Sequence, residues 1–184
     1  MFGSELIEDR VRNPKQKGPA IVPFITAGYP HKDDFLSLVQ ALADCADVIE
    51  IGVPFSDPMA DGVTIQRSSH LAIESGVRLR WILNQLKTIS INTPIILMSY
   101  LNPLYVYGYT QLAQDSKDAG VDGFIVPDLP IEEGEELREI LKLAGLGMIQ
   151  LVTPATPEDR IKKIAAKSSG FLYAVTVKGV TGGN

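Results

Sequence analysis

The stretch DVIEIGVPFSDPMADG, residues 47–62, joins an apolar strand to a polar loop. Side chains alternate between the two faces of a strand, so Ile49, Ile51 and Val53 share one face while Glu50 points to the other. A strand that is apolar on both faces is typical of a parallel sheet covered on both sides. Glu50 is therefore predicted to be a buried carboxylate, and desolvation should raise its pKa toward the range useful for proton transfer.

The same succession of a short apolar run and a longer amphipathic stretch recurs along the whole chain. We predict strands at residues 20–26, 48–54, 94–100, 123–128, 148–153 and 171–177. We predict helices between them at residues 32–45, 64–75, 78–89, 110–119, 132–144 and 157–167. Strands that alternate with helices in this way indicate an α/β fold, in which parallel strands are joined by right-handed crossovers.

Two architectures fit this succession, a doubly wound open sheet and a (β/α)8 barrel. No G-x-G-x-x-G turn follows the first strand, which counts against a dinucleotide-binding sheet. We therefore predict that residues 1–184 form one incomplete TIM-barrel domain and supply the first six of its eight strands. A complete open sheet of six strands is the alternative.

Composition narrows the range of functions. The chain is 45% hydrophobic with a net charge of −5, and it has no dense Lys/Arg cluster, so nucleic acid is an unexpected partner. It has no apolar run of about 18 residues and no apolar leader, so we expect no membrane association and a cytoplasmic location, or the plastid stroma if the source is a plant or alga. A single cysteine, Cys45, provides neither a disulfide nor a zinc site, and no metal site is predicted.

The loop at residues 55–62 follows the buried Glu50 directly and holds Asp57 and Asp61. Loops at the carboxyl ends of barrel strands build the active sites of this fold. Either aspartate alone could serve only to form a turn. Their position next to a buried glutamate favours a catalytic interpretation.

Residues 49–62, together with TIQ at 64–66, resemble the tryptophan synthase α-subunit family. Four further segments resemble the same family in the same order. They are PFITAGYP at 23–30, MSYLNP at 98–103, GVDGFIVPDLP at 120–130, and Tyr173 with GVTG at 179–182. The resemblance extends over nearly the whole chain.

This resemblance implies a lyase of tryptophan biosynthesis that cleaves indole-3-glycerol phosphate to indole and glyceraldehyde 3-phosphate. The reaction is a retro-aldol cleavage and needs no cofactor. By resemblance, Glu50 is the acid/base that protonates the indole ring carbon and helps to deprotonate the glycerol hydroxyl, and Asp61 binds the indole N–H. A carboxylate near the ring suits the positive charge that protonation creates.

Indole requires an apolar cleft with aromatic walls. Strand parity and the resemblance assign that wall to Phe24, Tyr100, Ile125, Leu151 and Tyr173. Thr181 and Gly182 match the loop that closes over the site in the family.

The resemblance also implies a partner. The family works as an α2β2 heterotetramer with a β subunit, and pyridoxal phosphate is expected only in that β subunit. The positions that resemble the docking surface are Asp57, Pro58, Asn102, Asp128 and Pro130.

Two alternatives stay open. One is a different phosphosugar barrel enzyme, and the other is a non-catalytic chain that binds or activates a β subunit. In such barrels the phosphate usually sits on the loops after strands seven and eight. Since the predicted elements stop at strand six, we expect these 184 residues alone to bind the substrate poorly.

Overall fold

The computed structural model describes residues 2–175, which form one six-stranded parallel sheet with helices in the connections. The strands are β1 (Phe24–Thr26), β2 (Ile49–Gly52), β3 (Ile95–Met98), β4 (Gly123–Ile125), β5 (Gly147–Val152) and β6 (Leu172–Ala174). The helices are α1 (Gly3–Arg12), α2 (Phe35–Cys45), α3 (Val63–Glu74), α4 (Leu79–Leu86), α5 (Leu101–Tyr107), α6 (Tyr109–Asp118), α7 (Glu135–Ala144) and α8 (Glu158–Ala165). A short 3-10 turn at Lys32–Asp34 precedes α2.

The strands lie in the sheet in their chain order, from β1 to β6. A doubly wound sheet reverses its strand order at a switch point, and these six strands show no reversal. The predicted α/β fold with parallel strands is therefore confirmed, and the doubly wound alternative is excluded. Right-handed crossovers that always step in one direction place their helices on one face of the sheet.

The two faces of the sheet carry separate apolar clusters. Ile49 and Ile51 of β2 pack in the large cluster that contains Val39 of α2 and Leu83 of α4. The opposite, inner face carries a second cluster, built on Ile7, Val48, Ile96, Ile125 and Ile149. The assignment of the two faces of β2 from sequence is confirmed, and Glu50 belongs to the inner face.

Helix α1, which the sequence analysis did not predict, closes the N-terminal end of the inner face. The Gly3 N–H donates to the carbonyl of Gly145 over 2.8 Å, and Ile7 is fully buried. A methyl group added at Gly170 would lie 2.9 Å from Ile7 Cγ2, and one added at Gly123 would lie 3.0 Å from Ile7 Cδ1. The glycines at the start of β4 and just before β6 therefore make room for this helix.

Helix α5 was also missed. Its first turn contains Pro103, and proline there removes only an N–H that has no partner within the helix. The N–H of Leu101 at its start donates to Asp128 Oδ1 over 2.9 Å. The cap comes from a loop 27 residues away, so no local capping pattern marks the start of this helix.

The predicted element boundaries needed correction. Strand β5 has the predicted length and is shifted by one residue, and the other strands are shorter than predicted. Backbone hydrogen bonds continue beyond the strand ends, as from the Glu50 N–H to the Pro23 carbonyl (2.9 Å). Helix α7 begins at Glu135 rather than at 132, because the chain before it turns and Glu132 pairs with Arg160 over 2.7 Å. Residues 176 and 177 of the sixth predicted strand lie outside the described residues.

No helix within residues 2–175 is long and apolar enough to cross a membrane.

Asp47, at the entry to β2, anchors the segment that leads into β1. Its carboxylate accepts hydrogen bonds from the backbone N–H groups of Lys15 (2.6 Å) and Ile21 (2.8 Å), and its residue is 2% exposed. Burial acts to raise the pKa of Asp47, but these hydrogen bonds and the charges of Lys15 and Arg10 outweigh it and lower the pKa. The ionised carboxylate therefore stabilises the fold.

We expect Asp47→Asn to lower the free energy of unfolding by about 2–4 kcal/mol at pH 7, because one backbone donor then faces an amide N–H. The difference from the unsubstituted chain should shrink below about pH 4, since the Asp47 contribution is lost as pH falls through its lowered folded pKa. Urea unfolding at pH 7 and pH 3 measures both effects. Asp44→Asn, at an exposed position on α2, is the control, and an equal loss there would contradict the assignment.

Candidate active site at the carboxyl ends of the strands

Glu50 lies on the inner face of β2 and is 3% exposed. Burial raises its pKa from the usual 4.5 to about 7. No backbone or side-chain group between residues 2 and 175 donates a hydrogen bond to this carboxylate. A carboxyl group with a pKa near 7 both gives and takes a proton at neutral pH.

The neighbours of Glu50 are set by the register of the parallel strands. Phe24 of β1 and Ile96 of β3 lie directly beside it. Tyr173 of β6 is close enough that the negative charge of Glu50, added to the effect of burial, raises the pKa of the phenol. The glutamate thus stands among apolar and aromatic groups.

Gly52 provides the space beyond Glu50 on the same face. A methyl group added there would lie 2.5 Å from Cζ of Phe24. The Phe24 ring therefore lies against the backbone of β2 at this position. Any larger residue at position 52 would displace the ring.

Asp61 ends the loop that follows β2 and is half-buried. Burial raises the pKa of its carboxyl group, and a hydrogen bond from the Tyr100 hydroxyl opposes that effect. The residue lines a small cavity of about 20 Å³, together with Phe24, Ile65, Met98 and Tyr100. This volume holds about one water molecule.

The predicted aromatic and apolar wall falls into two groups. Phe24 and Tyr100 line the cavity beside Asp61. Ile125, Leu151 and Tyr173 lie in the inner-face cluster with Ile96 and Ile149. Both groups face the inner side of the sheet.

Several residues that line the cavity were missed by the sequence analysis, among them Met98, Ile65 and Ser69. Met98 packs against the inner-face cluster and also lines the cavity. It lies two positions before Tyr100, and side chains two positions apart along a strand point to the same face. The alternation of side chains was therefore enough to predict its place in the wall. Ile65 and Ser69 enter the cavity lining from α3 and are four positions apart, on one side of the helix.

The predicted docking positions are distributed around the same end of the sheet. Asp57, Asn102 and Pro130 are exposed, whereas Pro58 and Asp128 are half-buried. Thr181 and Gly182 lie outside the described residues. Within residues 2–175, no group of three or more His, Cys, Asp or Glu side chains is placed to hold a metal ion.

Residues 11–184 match the family model described as tryptophan synthase alpha chain. The alpha chain of Nitratidesulfovibrio vulgaris strain DP4 is 46% identical over 180 residues, which cover 96% of this chain and 70% of the relative. The alpha chain of Roseiflexus sp. strain RS-1 is 47% identical over 167 residues, which cover 89% of this chain and 64% of the relative. The chain thus spans about two thirds of the length of these relatives.

Solved structures agree with the sequence comparisons. The alpha subunit of Legionella pneumophila superposes with a TM-score of 0.87 at 37% identity, covering 96% of this chain and 68% of that one. The tryptophan synthase complex of Pyrococcus furiosus contains a chain that superposes with a TM-score of 0.78 at 41% identity, covering 84% of this chain and 65% of that one. From its sequence and its fold, the chain belongs to the tryptophan synthase alpha chain family, and its six parallel strands are part of the family's TIM barrel.

Proposed function

We propose that this chain catalyses the retro-aldol cleavage of indole-3-glycerol phosphate to indole and glyceraldehyde 3-phosphate, with Glu50 as the acid/base and Asp61 as the ligand of the indole N–H. The observation that carries the proposal is the buried Glu50, whose pKa is raised to about 7, directly before the loop that holds Asp61. Membership of the family supports the choice of substrate.

Glu50 moves two protons in this reaction. In its acid form it gives a proton to C3 of the indole ring, and the carboxylate then takes the proton of the hydroxyl on the adjacent glycerol carbon. The bond between C3 and that carbon breaks, its electron pair returns to the ring system, and the glycerol carbon becomes an aldehyde. Glu50 ends in the form in which it began, so a pKa near neutrality suits both transfers.

Asp61 stabilises the charge that these transfers create. Protonation at C3 places positive charge on the ring nitrogen, and a carboxylate beside the N–H lowers the energy of that cation. The cavity next to Asp61 has a volume of about 20 Å³, which is too small for an indole ring. We therefore infer that only the N–H edge of the ring approaches the cavity, while the ring lies along the inner face toward Tyr173.

The proposed chemistry consists of proton transfers between a carboxyl group and the substrate. It needs no cofactor on this chain. Pyridoxal phosphate is expected only in the β partner.

We further propose that the chain docks on a β subunit in an α2β2 assembly. Four apolar side chains that lie close in sequence to the predicted docking positions are strongly exposed, namely Met59 (77% exposed), Val63 (80%), Tyr105 (68%) and Val106 (76%). Clustered exposed apolar side chains are typical of protein interfaces. A Pyrococcus furiosus relative is described as part of a tryptophan synthase a2b2 complex with mutual activation, which supports this kind of partner.

Glu50→Gln should abolish indole release from indole-3-glycerol phosphate, with a loss of at least about 100-fold, because an amide cannot carry out either proton transfer. Indole is measured for the 184-residue chain with and without a purified β subunit. Glu139→Gln, on the exposed side of α7, should retain full activity. If the unsubstituted chain releases no indole but activates the β subunit, the non-catalytic alternative replaces this proposal.

The same substitution should stabilise the fold at high pH. A folded pKa of about 7 against 4.5 means that the folded chain holds the proton more tightly than the unfolded chain, so stability falls as pH rises between these values. Glutamine does not titrate, so the stability of Glu50→Gln does not fall in this way. Above pH 7 its free energy of unfolding should be about 2–3 kcal/mol higher than that of the parent chain. Urea unfolding at pH 4, 6 and 8 measures the gain, and a gain that does not change with pH would show that Glu50 does not titrate as described.

Met59→Glu should weaken binding to the β subunit at least tenfold, because a charge would then be buried in the contact. Calorimetric titration with the β subunit measures the affinity. Leu143→Glu makes the same kind of change on α7, at a side chain that is 84% exposed, and should leave the affinity unchanged. Equal effects of the two substitutions would place the contact elsewhere.

A further inference from the structure

The hydroxyl of Tyr100 holds two consecutive residues of the loop after β2. It accepts a hydrogen bond from the backbone N–H of Ala60 over 2.9 Å and donates one to the carboxylate of Asp61. Tyr100 lies just beyond the carboxyl end of β3 and is 6% exposed. A buried side chain from one loop therefore fixes both the backbone and the carboxylate of the next loop.

Tyr100 is itself fixed from several sides. The ring of Phe55 stacks on it, with the centroids 5.1 Å apart and the planes inclined by 29°. The N–H of the following residue, Leu101, is bound to Asp128, and the carbonyl of Tyr100 accepts a bond from Ser99 Oγ over 2.9 Å. The phenol therefore has little freedom to turn away from Asp61.

We propose that Tyr100 is a positioning residue, which sets the direction of the Asp61 carboxylate so that one of its oxygens is occupied by the phenol and the other is left for the indole N–H. This inference rests on the proposed function of Asp61 and goes beyond the part of Tyr100 in the apolar wall. Loops are the most mobile elements of a fold, and an error of about 1 Å in the position of a reacting group costs roughly 100-fold in rate.

The surroundings of Tyr100 and Asp61 favour a hydrogen bond in which the phenol donates to the carboxylate. Burial raises the pKa of Asp61, and the phenol opposes that rise by donating to the ionised form. Burial and the nearby carboxylates of Asp61 and Asp128 raise the pKa of Tyr100, while the Ala60 N–H acts in the opposite direction. The raised pKa of Tyr100 keeps the phenol a donor, and its hydrogen bond to Asp61 opposes the rise in the pKa of that carboxyl group.

Tyr100→Phe tests the inference, because it keeps the ring and its stacking on Phe55 and removes only the hydroxyl. We expect kcat for indole formation to fall by about 10–100-fold while KM changes less than threefold. Tyr107→Phe is the matched control. It removes a phenol that donates to Asp115 Oδ2 over 2.6 Å, away from the cavity, and its kinetics should equal those of the parent chain.

Two further measurements separate positioning from wall packing. Carbon-13 NMR of the Asp61 carboxyl should show its titration moved to higher pH in Tyr100→Phe, and not in Tyr107→Phe. Tyr100→Phe placed in an Asp61→Asn background should cause no further loss of kcat, because Tyr100 acts through Asp61. An unchanged Asp61 titration, an effect on KM alone, or a full additional loss in the double variant would overturn the inference.

The NMR titration also keeps this inference apart from the proposed reaction. If Glu50→Gln retains activity while the Asp61 titration moves as expected, the reaction is wrong and the positioning stands. If Glu50→Gln is inactive while the Asp61 titration does not move, the reaction stands and Tyr100 is only part of the wall.

Discussion

Burial of the Glu50 carboxylate among apolar strands is the constraint on which the rest of the site depends. β2 lies between β1 and β3, so Phe24 and Ile96 flank Glu50 in register. A slip of one residue would turn Glu50 into the cluster under the helices and bring Ile49 or Ile51 to the inner face. The register is therefore strongly specified, and the sheet holds the carboxylate in a place where its charged form is unfavourable.

The second carboxylate is held by a different means. Asp61 lies in a loop, where the backbone has no ladder of hydrogen bonds to fix it. Tyr100 ties that loop to the next one, and Asp128 in turn ties the loop after β4 to the start of α5. Successive loops at this end of the sheet are thus cross-linked by side chains. A rigid strand and a braced loop together define the two sides of the site.

The sequence was sufficient to predict the features that follow from periodicity. Alternation along β2 separated Ile49 and Ile51 from Glu50, and the succession of strands and helices indicated parallel pairing. Helix α5 was missed because a long-range contact defines its start, whereas α1 also has a local signal, the hydrogen bond from the Phe2 N–H to the Glu5 carboxylate. The start of α5 is capped by Asp128, and Ile7 of α1 fits against Gly123 and Gly170.

Residue types and their order along the chain indicated which side chains line the candidate site, but not which contacts fix their positions. Asp128 was predicted only as a docking position, whereas its carboxylate also binds the Leu101 N–H, a contact that no spacing rule links to it. Met98 could have been predicted from the alternation of side chains between the two faces of a strand. Ser69 could not, because its place in the cavity depends on how α3 packs against the sheet.

Burial raises the pKa of both carboxyl groups, but their surroundings differ, and this difference suits them to different roles. Glu50 has only burial acting on it, so it holds its proton up to about pH 7. Burial also raises the pKa of Asp61, but this residue is only half-buried and a hydrogen bond from Tyr100 opposes the rise. An acid that must give a proton to carbon belongs at the first position, and an anion that must face a developing cation belongs at the second.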